Sequence, residues 1–162
     1  MAIVADDRGP VLFRQQRLGR DRVPFTILKF RTMRDGEVTR VGRWLRASGI
    51  DEIPQFLNVL AGQMSVVGPR PLTAADVERL GWLEPDSDER FAARPGITGL
   101  AQLFAGGGAD RSRRLDADYA RRAGVPLDTA VVAASFAVNL FGKPRVRRTL
   151  TRWDALRVRA LL

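Results

Sequence analysis

Residues Ser48–Leu72 read SGIDEIPQFLNVLAGQMSVVGPRPL, and the fold of the chain turns on them. Ile53, Phe56, Leu57 and Leu60 stand at i, i+3, i+4 and i+7, which predicts a short amphipathic helix with a buried stripe, ending near Gly62. Pro54 is tolerated only in a first turn, so the helix is expected to start at about Asp51. Asp51 and Glu52 then lie at the positive end of the helix dipole, and Ser48 with Asp51 matches a capping box. Beyond the helix, Gly68-Pro69-Arg70-Pro71 forms a stiff turn that carries an arginine.

Working outward, the N-terminal side reads as a β-hairpin. Val11–Gln16 and Phe25–Phe30 are β-branched and aromatic runs around Gly19-Arg20-Asp21. Lys29 and Arg31 share one face of the second strand and are left either to a common anion or to water. Arg40–Ala47 follows as a basic amphipathic helix, with Val41, Trp44 and Leu45 opposite Arg40, Arg43 and Arg46. Its charged side suits solvent, an anion or a membrane surface.

On the C-terminal side, Thr73 and Asp76 cap a helix through Leu80–Leu83, and Ser87 begins another. Arg94–Gln102, RPGITGLAQ, is a loop entering a short strand or turn, and Phe104–Asp110 is glycine-rich. A charged helix over Arg111–Arg122 ends at Gly124, and Pro126 opens a mostly apolar one over 127–141. Arg145–Leu162 interleaves arginines with Val146, Leu150, Trp153, Leu156 and Leu161. That pattern fits a membrane-surface, an exposed or a partner-docking helix. The architecture expected is α+β and mostly helical, with one core over 1–144 and a basic amphipathic helix over 145–162.

Composition narrows the chemistry. The 162 residues include no Cys and no His, which removes disulfides, thiolate metal sites, cysteine nucleophiles and histidine bases. What remains is Asp, Glu, Lys, Arg, Tyr, Ser or Thr, with an oxygen-liganded ion such as magnesium. With 27 Lys and Arg against 18 Asp and Glu, the net charge is +9, nearly all of it from arginine. Arginine forks suit phosphates. Nucleic acid is not expected, because no reading helix or aromatic base platform accompanies the charge. The first residues lack the features of a signal peptide, and no stretch reaches the ~18 apolar residues of a membrane span.

Two acids in a first helical turn are usually stabilisers of that helix. Their context adds chemistry. Adjacent helical residues lie about 100° apart, so one carboxylate can face a reacting centre while the other holds a metal or fixes the first. A carboxylate at a helix N-terminus is expected to stay ionised, which suits a nucleophile or a magnesium ligand. Arg70, and Arg94 before Pro95-Gly96, are stiffly presented guanidinium groups of the kind that clamp phosphates. Together these features point to phosphoryl transfer.

PVLFRQQRLG, FTILKFRTM, VTRVGRWLR, DEIPQFLNVLAGQMSVVGPRPL, RPGITGLAQ, LDADY and PLDTAVV, in order from Gly9 to Leu140, resemble the successive motifs of the bacterial sugar transferases. These are the monotopic phosphoglycosyl transferases that begin surface glycan assembly. The resemblance implies transfer of a sugar-1-phosphate from a UDP-sugar to a polyprenyl phosphate such as undecaprenyl phosphate. Asp51 would be the nucleophile that forms a covalent phosphosugar enzyme, and Glu52, with Asp51, would bind or position Mg2+. Lys29, Arg46, Arg70 and Arg94 would engage phosphates, with Asp128 a further active-site candidate. It also implies the cytoplasmic face of the bacterial inner membrane, an anionic membrane surface as partner, and is compatible with a homodimer.

The family ordinarily carries a membrane-dipping helix ahead of PVLF. The residues before Gly9 do not supply one; either the chain is trimmed, its gene start is misplaced, or this is a shortened member whose remaining amphipathic helices hold the membrane. An alternative is therefore a catalytically silent membrane-surface or assembly module of the same fold. The short segment between Met33 and Val38, Gln63, and Phe104–Gly108 depart from the family pattern, so the sugar is left unspecified.

Overall fold

A computed structural model describes residues 3, 6, 8–83, 88–104 and 108–141. The chain opens with the expected hairpin. β1 (Leu12–Leu18) pairs antiparallel with β2 (Pro24–Phe30), in a register running from Leu12 opposite Phe30 to Leu18 opposite Pro24. A two-residue pair follows, β3 (Met33–Arg34) with β4 (Glu37–Val38). Helix α1 (Arg40–Ser48) starts on Thr39, whose hydroxyl accepts from the Gly42 N–H, while the Asp6 carboxylate accepts from Val41 N at 3.0 Å. Two acceptors thus meet the exposed donors of its first turn.

Gly49, in the left-handed region at φ 71°, ends α1 and turns the chain at once into a 3-10 turn, Ile50–Glu52. Helix α2 (Gln55–Leu60) follows. Two sequence expectations are corrected here. Ser48 caps nothing downstream, since its hydroxyl donates back to the Trp44 and Leu45 carbonyls as the last residue of α1. The acids occupy the 3-10 turn, and the α-helix proper begins at Gln55.

The larger correction concerns which side of α2 is buried. Ile53, Phe56, Leu57 and Leu60 are exposed, Leu60 at 85%, whereas Gln55 and Asn58 are buried at 2% and 3%. The periodicity is right and the direction is reversed. β2 has β1 on only one side, and its other edge presents the Leu28 N–H and the Thr26 carbonyl. Asn58 meets both, accepting from Leu28 N at 3.1 Å and donating to Thr26 O at 2.8 Å, and it also donates to Gln63 Oε1 at 2.8 Å. A buried amide that completes a strand edge holds the polar side inward, because leaving those groups unpaired would cost more than exposing leucines.

β5 (Ser65–Val67) then pairs in parallel with β6 (Gly96–Thr98). The two segments touch so closely that a Cβ on Gly68 would lie 2.3 Å from the Arg94 carbonyl oxygen. Helix α3 (Ala74–Arg79) carries the full Thr73/Asp76 capping box, and α4 (Asp88–Phe91) precedes β6. After β6 come α5 (Leu100–Phe104), α6 (Gly108–Arg122) and α7 (Val125–Phe141), with α6 starting three residues earlier than the charge pattern suggested. The segment 145–162 and the expected helix start at Ser87 lie outside the described residues.

The interior divides into packed clusters, two of which adjoin at β5 through Met64 and Val67. Phe25, Ile27 and Met64 pack under the hairpin. Val67, Leu103, Tyr119 and Val131 lie among α5, α6 and α7. Val77, Trp82 and Phe91 lie beneath α3 and α4. Helix α7 is core on one side only, with Val131 buried and Phe136 exposed. Trp44 of α1, expected on the apolar side, is 62% exposed.

The inverted packing of α2 predicts an inverted substitution pattern. Asn58→Leu, although apolar, should destabilise by about 2–4 kcal/mol through the unpaired strand groups, while Leu60→Ser stays within about 0.5 kcal/mol. Urea denaturation of both variants measures the contrast.

Candidate active site

The 3-10 turn contacts both α1 and β2, so the acids meet side chains from each. Lys29, near the end of β2, places Nζ 2.8 Å from Glu52 Oε1, in a pair that is mostly shielded from solvent. Arg46 lies in the last turn of α1, its Nε donating to the buried Thr32 hydroxyl at 2.9 Å. Four of the residues expected at the site, Lys29, Arg46, Asp51 and Glu52, therefore meet around one turn. Lys29 reaches Glu52, while the Arg31 guanidinium lies against Gly9.

The surroundings of Asp51 are not those of a helix N-terminus. Burial first, and then the neighbouring Glu52 charge, push its carboxyl above the ordinary 3.8, against the pull of Lys29 and Arg46. An acid at the positive end of a helix would be held down. This one precedes the helix, is half-buried, and stands beside a like charge.

Arg70 and Arg94 belong to a second group. Both are exposed, and neither side chain makes a hydrogen bond or ion pair among the described residues. The β5–β6 junction draws their segments together, with Gly96 N donating to Pro69 O at 2.9 Å and Ser65 N to Pro95 O at 2.8 Å. Asp128 has a different neighbourhood. The Tyr119 hydroxyl lies 2.8 Å from Asp128 Oδ1 and 2.9 Å from the Val67 carbonyl, so its single proton is shared between two acceptors joining α6, α7 and β5. Burial, then Asp128, pushes the Tyr119 hydroxyl further above its usual range.

The sequence reading missed Thr32, which orients Arg46, and the buried Arg90–Asp116 pair, whose charges meet at 2.8 Å. Thr32 lay inside a recognised motif and Asp116 inside LDADY, yet no local pattern marked either as a partner. Among the described residues no group of three or more acidic side chains converges to cage a metal. An ion that takes only one or two carboxylates and completes its shell with water and phosphate oxygens, as magnesium does, needs no such cage.

The bacterial sugar transferase family matches residues 1–142 of the chain. The chain belongs to this family. Among curated relatives, it is similar to a UDP-glucose:undecaprenyl-phosphate glucose-1-phosphate transferase of Caulobacter vibrioides, 49% identical over 117 residues, which covers 64% of this chain and 44% of that protein. An undecaprenyl-phosphate glucose phosphotransferase of Komagataeibacter xylinus is 38% identical over 169 residues, 88% of this chain and 32% of that protein. A UDP-N-acetylgalactosamine-undecaprenyl-phosphate N-acetylgalactosaminephosphotransferase of Aeromonas hydrophila is 42% identical over 122 residues, 67% of this chain and 29% of that protein. The chain thus spans less than half the length of each of these relatives. No helix among the described residues is long and apolar enough to cross a membrane.

The raised Asp51 carboxyl has a consequence for stability. Its proton is bound more tightly in the folded than in the unfolded chain, so the folded state loses stability as pH rises from 3.8 through the raised value. Asp51→Asn removes that cost. The variant should melt above the parent at neutral pH, with the difference shrinking towards zero as the pH falls below about 3.8. Thermal melts of both proteins across pH, in the absence of divalent ions, read the effect.

Proposed function

We propose that the chain transfers a sugar-1-phosphate from a UDP-sugar to a polyprenyl phosphate of the undecaprenyl type, with Asp51 as a covalent nucleophile. The constellation of Asp51 and Glu52 between Lys29 and Arg46 carries the reading, supported by family membership and by the reactions named for the relatives. In the first step an Asp51 oxygen bonds to the sugar-linked phosphorus as the bond to UMP breaks. In the second, an oxygen of the lipid phosphate bonds to that phosphorus and Asp51 leaves as a carboxylate. Splitting the transfer lets two large substrates use one site in turn.

The residues divide the work. Asp51 must be ionised to attack, and Lys29 and Arg46 favour that form against the burial and the Glu52 charge that oppose it. Lys29 also fixes the Glu52 carboxylate, leaving its second oxygen for another ligand. Asp51 and Glu52 would hold Mg2+, which when bound supplies charge neutralisation for the phosphates. Arg70 and Arg94 offer unbonded guanidinium groups to the diphosphate or the lipid phosphate.

A lipid acceptor also has to reach the site. The exposed face of Ile53, Phe56, Leu57 and Leu60 starts at the residue after Glu52, and α1 exposes Trp44 among Arg40 and Arg43. An apolar face beside the acids, flanked by an aromatic and cations, suits insertion into the headgroup region of an anionic membrane. We place the working chain on the cytoplasmic leaflet of the inner membrane, where nucleotide sugars are available.

Incubation with undecaprenyl phosphate, magnesium and a panel including UDP-glucose and UDP-N-acetylgalactosamine should release UMP with at least one donor. Asp51→Asn should lower that release on the order of a thousandfold or more. Omitting the lipid should leave a single stoichiometric burst of UMP. No release above Asp51→Asn with any donor would make the chain a silent module of the same fold. For the membrane face, paired Phe56→Asp and Leu60→Asp substitutions should weaken sedimentation with anionic vesicles about tenfold or more without lowering the melting temperature.

A further inference from the structure

The segment Pro69–Leu72 carries Arg70, and each of its four carbonyl groups is held by a donor from elsewhere in the chain. Gly96 N donates to Pro69 O at 2.9 Å and Leu18 N donates to Leu72 O at 2.8 Å. Between these backbone contacts, two arginine side chains hold the remaining carbonyls. Arg90 Nη2 donates to Arg70 O at 2.9 Å, and Arg17 Nη1 donates to Pro71 O at 3.3 Å. Each arginine has its own acid, Asp116 for Arg90 at 2.8 Å and Asp76 for Arg17 at 3.5 Å. Prolines on both sides of Arg70 restrict the backbone further.

The Arg90–Asp116 pair is the unusual member. Arg90 and Asp116 are each 2% exposed, and the guanidinium lies over the Trp82 and Phe91 rings at 4.9 Å. Stability does not explain such a pair, since well-packed apolar residues of similar size serve a core as well or better. What an apolar residue does not supply is the further donor. Arg90 gives Nε and Nη2 to Asp116 Oδ2, and the same Nη2 also reaches the Arg70 carbonyl. A lysine would keep the charge and lose this planar fork.

We propose that Arg90, oriented by Asp116, is a positioning residue for Arg70, fixing the backbone from which its unbonded guanidinium reaches a phosphate group. The inference rests on the reading of Arg70 as a phosphate ligand. A backbone segment already held in place need not be ordered when its side chain meets an anion, which is the benefit of preorganisation.

The test is a double-mutant cycle on the full chain between Arg70→Ala and the apolar swap Arg90→Met/Asp116→Leu, read by UDP affinity with magnesium and by kcat/KM for UMP release. Amide exchange at Gly68, Arg70 and Leu72 is followed in parallel. In the parent, Arg70→Ala should cost about tenfold in UDP affinity, and in the folded swap less than about threefold, because an unfixed Arg70 has little left to lose. Amides of the 68–72 segment should exchange faster in the swap while those of the hairpin stay protected. Arg90→Lys should reproduce the loosening, and it replaces the swap in the cycle if the swap does not fold. An equal cost of Arg70→Ala in both backgrounds, or unchanged exchange across 68–72, overturns the proposal. Parent protein that neither binds UDP nor releases UMP defeats the reading of Arg70 as a phosphate ligand, and amide exchange then decides the positioning claim by itself.

Discussion

A two-stranded hairpin is barely stable alone, and the outer edge of β2 needs a partner before the rest of the domain can be placed. The Asn58 amide supplies it. By meeting Leu28 N and Thr26 O, Asn58 fixes the position of α2 along β2, and with it the turn that precedes α2. Lys29 is the next residue along that strand, and its reach to Glu52 follows from the same placement. The acid pair is therefore positioned by a hydrogen-bonded joint between a helix and a strand edge, with Val59 of α2 packed on the hairpin cluster beside it. The apolar side of α2 faces outward as a direct result.

The second joint is the parallel β5–β6 pair. Only three residues long on each side, it brings the GPRP and RPGITG segments into backbone contact through Gly68 and Gly96. A side chain at Gly68 would drive the two apart. Met64, just before β5, packs under the hairpin, and Val67, at its end, packs among α5, α6 and α7. One short strand thus connects the half of the domain that carries the acids to the half that carries the buried Arg90–Asp116 pair.

Local signals were legible in the sequence because local geometry decides them. The hairpin runs, the Thr73/Asp76 capping box and the Pro126 helix start depend on neighbours within a few residues, and the fold keeps each. The helical period of Ile53, Phe56, Leu57 and Leu60 was equally real, but period reports only that a helix has two unlike sides. Which side is buried depends on the strand edge some thirty residues earlier, where Asn58 finds partners with sequence separations of 30 and 32. Ser48 misled for a related reason. Ser-x-x-Asp is a cap only if the chain enters the helix there, and Gly49 turns it into a 3-10 segment instead. At the site, the grouping of Lys29, Arg46, Asp51 and Glu52 agrees with the motif order, whereas the Asp128 contact to Tyr119 depends on how α6 folds back on α7, which no spacing discloses.

The arginines make the same point about charge. Composition counted them as one basic excess, but the fold uses them in two ways. Arg90 is buried against Asp116, and Arg17, beside Asp76, is partly desolvated so that its pKa falls below the usual arginine value. Both spend their donors on carbonyls of one turn. Arg70 and Arg94 are exposed and make no such bonds among the described residues. The net charge of +9 therefore says little about how much positive potential faces a ligand, because part of it is consumed in fixing backbone. What matters at the surface is that the consumed charges hold still the segment on which an unconsumed one sits. For the transfer proposed above, with a nucleotide diphosphate and a lipid phosphate used in turn, a backbone held from behind serves both, since neither substrate would have to order that segment first.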